Sequence, residues 1–313
     1  MLKQVIDLHE ILDSPGASGD RVKAYLVACG AMPEAIKVTR VTSDKGASDF
    51  LHVTIAGNRG KQTGGDAPTL GVIGRLGGVG ARPEITGYVS DGDGALAATA
   101  AAAKLIGMAA NGDRLAGDVI VTTHICPDAP TREHHPVPFM DSPISFEDTW
   151  GHEIDAAMDA IVSIDTTKGN RIINVRGVAI SPTVKQGYIL RTSEDLMDIL
   201  SRVTGRLPEV FALTQQDITP YGNGLHHLNS ILQPAVATSA PVIGVALAAE
   251  IAVAGCATGA SHEVDIEQAA RFAVEVAKDF TAGICQFFDA DEFSRLIELY
   301  GDQTRFQQGG ARG

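Results

Sequence analysis

The spacing of apolar residues along the chain changes period from segment to segment. Leu2, Val5, Leu8, Ile11 and Leu12 fall on one face of a helix, and the Pro-Gly-rich residues 15–19 break that pattern before a second helix over residues 20–29. Residues 36–41 and 50–55 are rich in β-branched and aromatic side chains, with the turn-forming Ser43-Asp44-Lys45-Gly46 between them, so they predict paired strands. An apolar run at 70–73, an Ala-rich stretch at 96–110 and a β-branched run at 119–125 read as strand, helix and strand. Strands are predicted over 161–164, 172–180, 210–213 and 242–247, and helices over 193–203, 222–233, 266–280 and 291–300. This alternation predicts an α/β fold, a three-layer αβα sandwich with a mostly parallel central sheet. Without an internal repeat or a low-complexity linker, residues 1–306 read as one domain and 307–313 as a frayed tail.

Composition narrows the function classes. At 313 residues and 44% apolar, the chain can bury a sizeable core and is not a disordered polymer. Its net charge of −13 repels phosphates, which argues against nucleic acid and against an anionic membrane surface. Residues 234–260 imitate a membrane span, but they are built from small residues and interrupted by Pro241. Asp7, Glu10 and Asp13 interrupt the N-terminal apolar pattern where a secretory signal needs continuity, and the four cysteines are scattered. A cytoplasmic protein acting on a small-molecule or peptide-like ligand is the class left.

In open α/β sheets ligands collect beyond the carboxyl ends of strands, so polar residues just after apolar β runs are the candidates for chemistry. Those junctions hold Asp91 and Asp93, then His124, Cys126 and Asp128, then Asp165, and finally His262. Carboxylates sharing a low-dielectric cleft need a compensating cation, and a histidine among them suits zinc, manganese or iron. Each Asp also fits a helix cap or a turn. Residues 131–155 carry few structural signals and hold His134, His135, Trp150 and His152, the profile of a binding loop. The Gly74–Gly80 run lacks the Lys-Ser/Thr of a phosphate loop, so its glycines are read as allowing close backbone approach at the cleft.

The segment SDGDGALAATAAAAKL, starting at Ser90, resembles the Asp-Asp-Lys-Gly segment of the co-catalytic zinc peptidases, the superfamily of glutamyl and tetrahedral aminopeptidases, carboxypeptidase G and aminoacylase. LAGDVIVTTHICPDA resembles the strand ending in their Glu-Glu pair, AIVSIDTTKGN the strand ending in a metal-binding Asp, and GASHEVDIEQAARF the late His that opens the last helix. The opening LHEILDSPGASGDRVKAYL is similar to the start of the tetrahedral-aminopeptidase branch. As a whole the chain resembles a bacterial domain-of-unknown-function family, a divergent branch of that superfamily. The resemblance implies a zinc-peptidase-like fold without the inserted lid domain, a divalent metal held by Asp91, Asp128, Asp165 and His262, hydrolysis of an amide or peptide-like bond, and assembly into homo-oligomers.

The departures from the pattern are as informative. Arg75 and Gly77 stand where the family has its His-x-Asp, and Pro127 stands where it has the general base. Proline accepts no proton, so the resemblance leaves a loop histidine, His135, to act as base, with Arg75 and His134 binding substrate. The alternative is a catalytically inactive pseudo-peptidase that binds a small anionic ligand or a protein partner. There Arg75 takes the place of the metal and pairs with Asp91 or Asp165.

Overall fold

The computed structural model describes residues 1–135, 137–167 and 169–308. The first half of the chain supplies α1 (Leu2–Asp13), α2 (Gly19–Ala28), β1 (Ile36–Ser43), β2 (Gly46–Ile55), β3 (Leu70–Gly74), α3 (Asp93–Ala110), β4 (Val119–Ile125), β5 (Thr131–Arg132), β6 (Phe139–Met140) and α4 (Phe146–Glu153). The second half adds β7 (Ala160–Thr167), β8 (Gly177–Ile180), β9 (Val184–Lys185), β10 (Tyr188–Ile189), α5 (Glu194–Thr204), β11 (Val242–Ala248), α6 (Glu263–Thr281) and α7 (Ala290–Tyr300).

Four buried strands that begin as apolar runs become the centre of the sheet, in the order β4-β3-β7-β11, all parallel. Each is covered on both faces, which is why they read as continuous hydrophobic runs and do not alternate. The edges are antiparallel: the β1–β2 hairpin joins β4 on one side, and β8, β9 and β10 extend β11 on the other. The α/β class, the layering and the parallel centre agree with the sequence reading. The 234–260 segment that imitates a span contains the buried β11, and no helix among the described residues is long and apolar enough to cross a membrane.

One face of the sheet carries α1, α3, α5 and α6, packed around the larger core of Val, Leu, Ile and Ala side chains. The alanines of α3 let it lie flat on the strands. At its first turn, a Cβ on Gly94 would come within 2.6 Å of the carbonyl oxygens of Arg75 and Ile164. The opposite face is covered by α4 and by a largely non-helical segment that contributes Phe211, Ile218, Ile231 and Leu232 to a second core.

Four expectations about elements need correction. The strand predicted over 172–180 is confined to β8, because the Asn170 side chain accepts the N–H groups of Ile172 and Ile173 and closes a turn instead. The 210–213 strand shrinks to a single bridge between Val210 and Ile180. Residues 222–233 form no helix around His226 and His227. Gly222 and Gly224 take left-handed backbone there, and Asp217 captures the N–H groups of Leu228 and Asn229. The stretch 131–155 is more structured than its sequence signals, since Ser145 caps α4 by accepting the Asp148 N–H. The tail from residue 307 lies mostly outside the described residues.

Candidate active site at the strand ends

The parallel strands β3, β4 and β7 end side by side, and beyond their carboxyl ends lies a cavity of about 600 Å³. Its wall includes Asp91 from the turn before α3, His124 from β4, Thr166 and Thr167 from β7, and Tyr221, His227, Asn229 and Ser230 from the non-helical segment. The backbone after β3 is bent tightly under this cavity. Leu76 sits in the left-handed region at φ 50, and a Cβ on Gly77 would lie 1.4 Å from the His124 carbonyl oxygen. The close-approach reading of the Gly74–Gly80 run therefore holds.

Three buried ionisable groups form a chain that reaches the cavity through His124. The Arg75 guanidinium donates to Glu153 Oε2 at 2.6 Å, and His124 Nδ1 lies 2.8 Å from Glu153 Oε1. Both the Arg75 and Glu153 side chains are 1% exposed, while His124 reaches the cavity wall. Burial pushes the Glu153 carboxyl up, but the Arg75 charge and the His124 contact outweigh it and hold it below its ordinary range. Thr122 fixes the end of α4 by donating to the Glu153 carbonyl at 2.7 Å, so the carboxylate is delivered from a pinned helix terminus.

Asp165 lies one strand away, fully buried on β7. It accepts the Ser230 hydroxyl at 2.7 Å and the Thr166 N–H at 2.7 Å. Loss of water raises its pKa to about 6, against the pull of the nearby Arg75 charge and these two hydrogen bonds. Cys126 also reaches the cavity, where burial pushes its thiol up to about 12 and favours the protonated form.

The residues singled out from the sequence are not all brought together. Asp91 borders the cavity and Asp165 lies behind Ser230, whereas Asp128 is exposed beyond β4 and His262 is exposed at the start of α6. Among the described residues no three His, Cys, Asp or Glu side chains converge closely enough to hold a metal ion. The donor set does not fit the zinc, manganese or iron that the resemblance implies. Arg75 pairs with Glu153, not with Asp91 or Asp165 as its place in the pattern suggested, and it is buried and does not line the cavity, so it cannot clamp a substrate carboxylate there. His134 and His135 are exposed and do not line the cavity; His134 bonds the Val137 carbonyl at 3.2 Å. Two histidines do face the cavity, His124 and His227. Glu153, Tyr221 and Asn229 were not singled out by sequence reasoning, and the one local signal for Glu153 is the Ser145 cap that starts its helix.

The fold is that of aminopeptidases. The bottromycin maturation enzyme BotP is 13% identical over 88% of this chain and 69% of its own, with a TM-score of 0.52. The same enzyme in complex with Mn superposes with the same score over 70% of its length. Leucine aminopeptidase LAP1 of Caenorhabditis elegans is 12% identical over 89% of this chain and 65% of its own, also at 0.52. The chain thus spans about two thirds of these proteins, and at such identity the likeness is one of fold. No curated protein matches the sequence. The chain belongs to the family described as "Protein of unknown function (DUF1177)", whose model matches residues 39–310.

Proposed function

We propose that the protein hydrolyses an amide or peptide-like bond in the strand-end cavity, with an aminopeptidase-type centre remodelled around His124, Glu153 and Arg75. The observation that carries this reading is the His124 ring on the cavity wall, with Nδ1 fixed by a buried carboxylate. Nδ1–H donates to Glu153, which leaves Nε2 as the acceptor. Nε2 takes a proton from water as the water oxygen adds to the carbonyl carbon, then returns that proton to the leaving nitrogen as the C–N bond breaks. Arg75 keeps Glu153 ionised, so the imidazolium formed midway is stabilised. No step passes through a metal, because the donors do not converge. Four free cysteines support a cytoplasmic setting.

One observation favours a second reading, binding without turnover. The buried cation beside Asp165 is a guanidinium, already paired with Glu153. The two readings separate in one experiment. The purified chain is incubated with panels of dipeptides, amino-acid amides and N-acyl amino acids, alongside His124→Asn. Turnover that falls by about 10²–10⁴-fold in the variant, with its fold intact by circular dichroism, supports hydrolysis. A wild-type chain that cleaves none of the panel removes the hydrolase reading.

A further inference from the structure

Asn229 is a cavity-wall group that the hydrolysis step does not use. Its Oδ1 accepts the Ile231 N–H at 3.1 Å and its backbone N–H donates to Asp217 at 3.3 Å, so the side chain is held through its oxygen and the residue through its backbone. The residue is 8% exposed, yet Nδ2 has no acceptor among the described residues. Buried donors without a partner are rare in native structures, and one at a cavity wall is a donor held ready for a ligand oxygen.

The surrounding segment is built to keep it there. Fully buried Asp217 also accepts the Thr214 N–H, the Thr214 hydroxyl and the Leu228 N–H. Gln233 donates to the Thr219 carbonyl and accepts the Tyr221 N–H, tying the two ends of the segment together. The same segment presents a wall of rings. Tyr221 stacks on Phe146 with centroids 5.2 Å apart and meets His227 at 4.4 Å, and all three line the cavity. A continuous aromatic surface next to one fixed N–H donor suits a planar apolar group attached close to a carbonyl.

We propose that Asn229 Nδ2 holds a carbonyl oxygen of the ligand and that the Phe146–Tyr221–His227 wall seats an aromatic side chain beside it. The ligand class is a short amide or peptide carrying an aromatic residue. The choice of an amide rests on the hydrolase reading, but the recognition itself does not require turnover.

The test is calorimetric binding of N-acetyl-L-phenylalaninamide and N-acetyl-L-alaninamide to the full chain and to Asn229→Asp and Tyr221→Leu, with thermal melts of each. Asn229→Asp keeps the oxygen for Ile231 and loses the donor. Wild type binds the phenylalanine probe at least about tenfold more tightly than the alanine probe, Asn229→Asp weakens both by about tenfold, and Tyr221→Leu erases the preference. Absence of binding, equal binding of the two probes by wild type, or an Asn229→Asp chain that binds like wild type overturns the proposal. Should Asn229→Asp fail to fold, the Tyr221→Leu comparison decides, and a retained preference overturns it. Selective binding without cleavage sinks the hydrolase reading and leaves this one standing. Equal cleavage of both probes does the reverse.

Discussion

At the scale of single residues the site is governed by which buried charge faces which. Arg75 and Glu153 are both out of water, so removing either leaves the other uncompensated at a cost of about 3–5 kcal/mol, while replacing the pair by apolar residues costs less. Chemical denaturation of Arg75→Leu, Glu153→Leu and the double variant is expected to show the double variant more stable than the sum of the singles predicts. Asp165 behaves oppositely to Glu153. Its folded pKa, about 6, lies above the ordinary carboxylate value, so the folded state holds a proton that the unfolded state has released. Its contribution to stability is therefore present at low pH and is lost as pH rises from about 4 through about 6. Asp165→Asn is expected to gain on the order of 1–3 kcal/mol at neutral pH and to flatten that slope. A variant no more stable than wild type at neutral pH would show that Asp165 is ionised without penalty.

At the scale of elements the most exposed weakness is α4, an eight-residue helix too short to be stable alone, which delivers Glu153 to His124. Ser145→Ala removes its cap and is expected to lower stability by about 1 kcal/mol. If the hydrolase reading holds, the same change lowers turnover more than it lowers substrate affinity, which steady-state kinetics would report. This element also marks the boundary of what the sequence discloses. The buried strands β3, β4, β7 and β11 were legible because runs covered on both faces open with consecutive apolar, mostly β-branched residues, and α6 because its apolar residues recur at helical spacing. Glu153 was not legible, for its partners lie 78 and 29 residues away and no local periodicity connects them. Neither was Asn229, whose place depends on Asp217 closing a turn around two left-handed glycines, where helical spacing of Leu225, Leu228 and Leu232 pointed the other way. Residue identity at strand ends singled out Asp91, Asp165 and His124, but not which of them would share a cation.

At the scale of the whole molecule the question is how the fold distributes its acidic excess, with Lys+Arg at 25 against Asp+Glu at 38. A metal centre needs that excess concentrated, with several deprotonated ligands converging on one point. The fold instead leaves Asp128 and His262 exposed and inserts a guanidinium among the buried carboxylates, between Glu153, which it contacts, and Asp165, whose charge it favours. A fixed positive charge buried close to Asp165 and Glu153 disfavours a divalent cation held by those carboxylates by direct repulsion, with little water to screen it. Protein purified without chelator is accordingly expected to carry zinc, manganese and iron well below one equivalent by plasma mass spectrometry. Dialysis against EDTA is expected to leave the melting temperature and any amide turnover unchanged, since no ion contributes to either. One equivalent of any of these metals, with turnover lost on chelation and restored on return of the ion, would mean that the site closes around a cation despite Arg75. The reading of His124 as a metal-independent base would then fall.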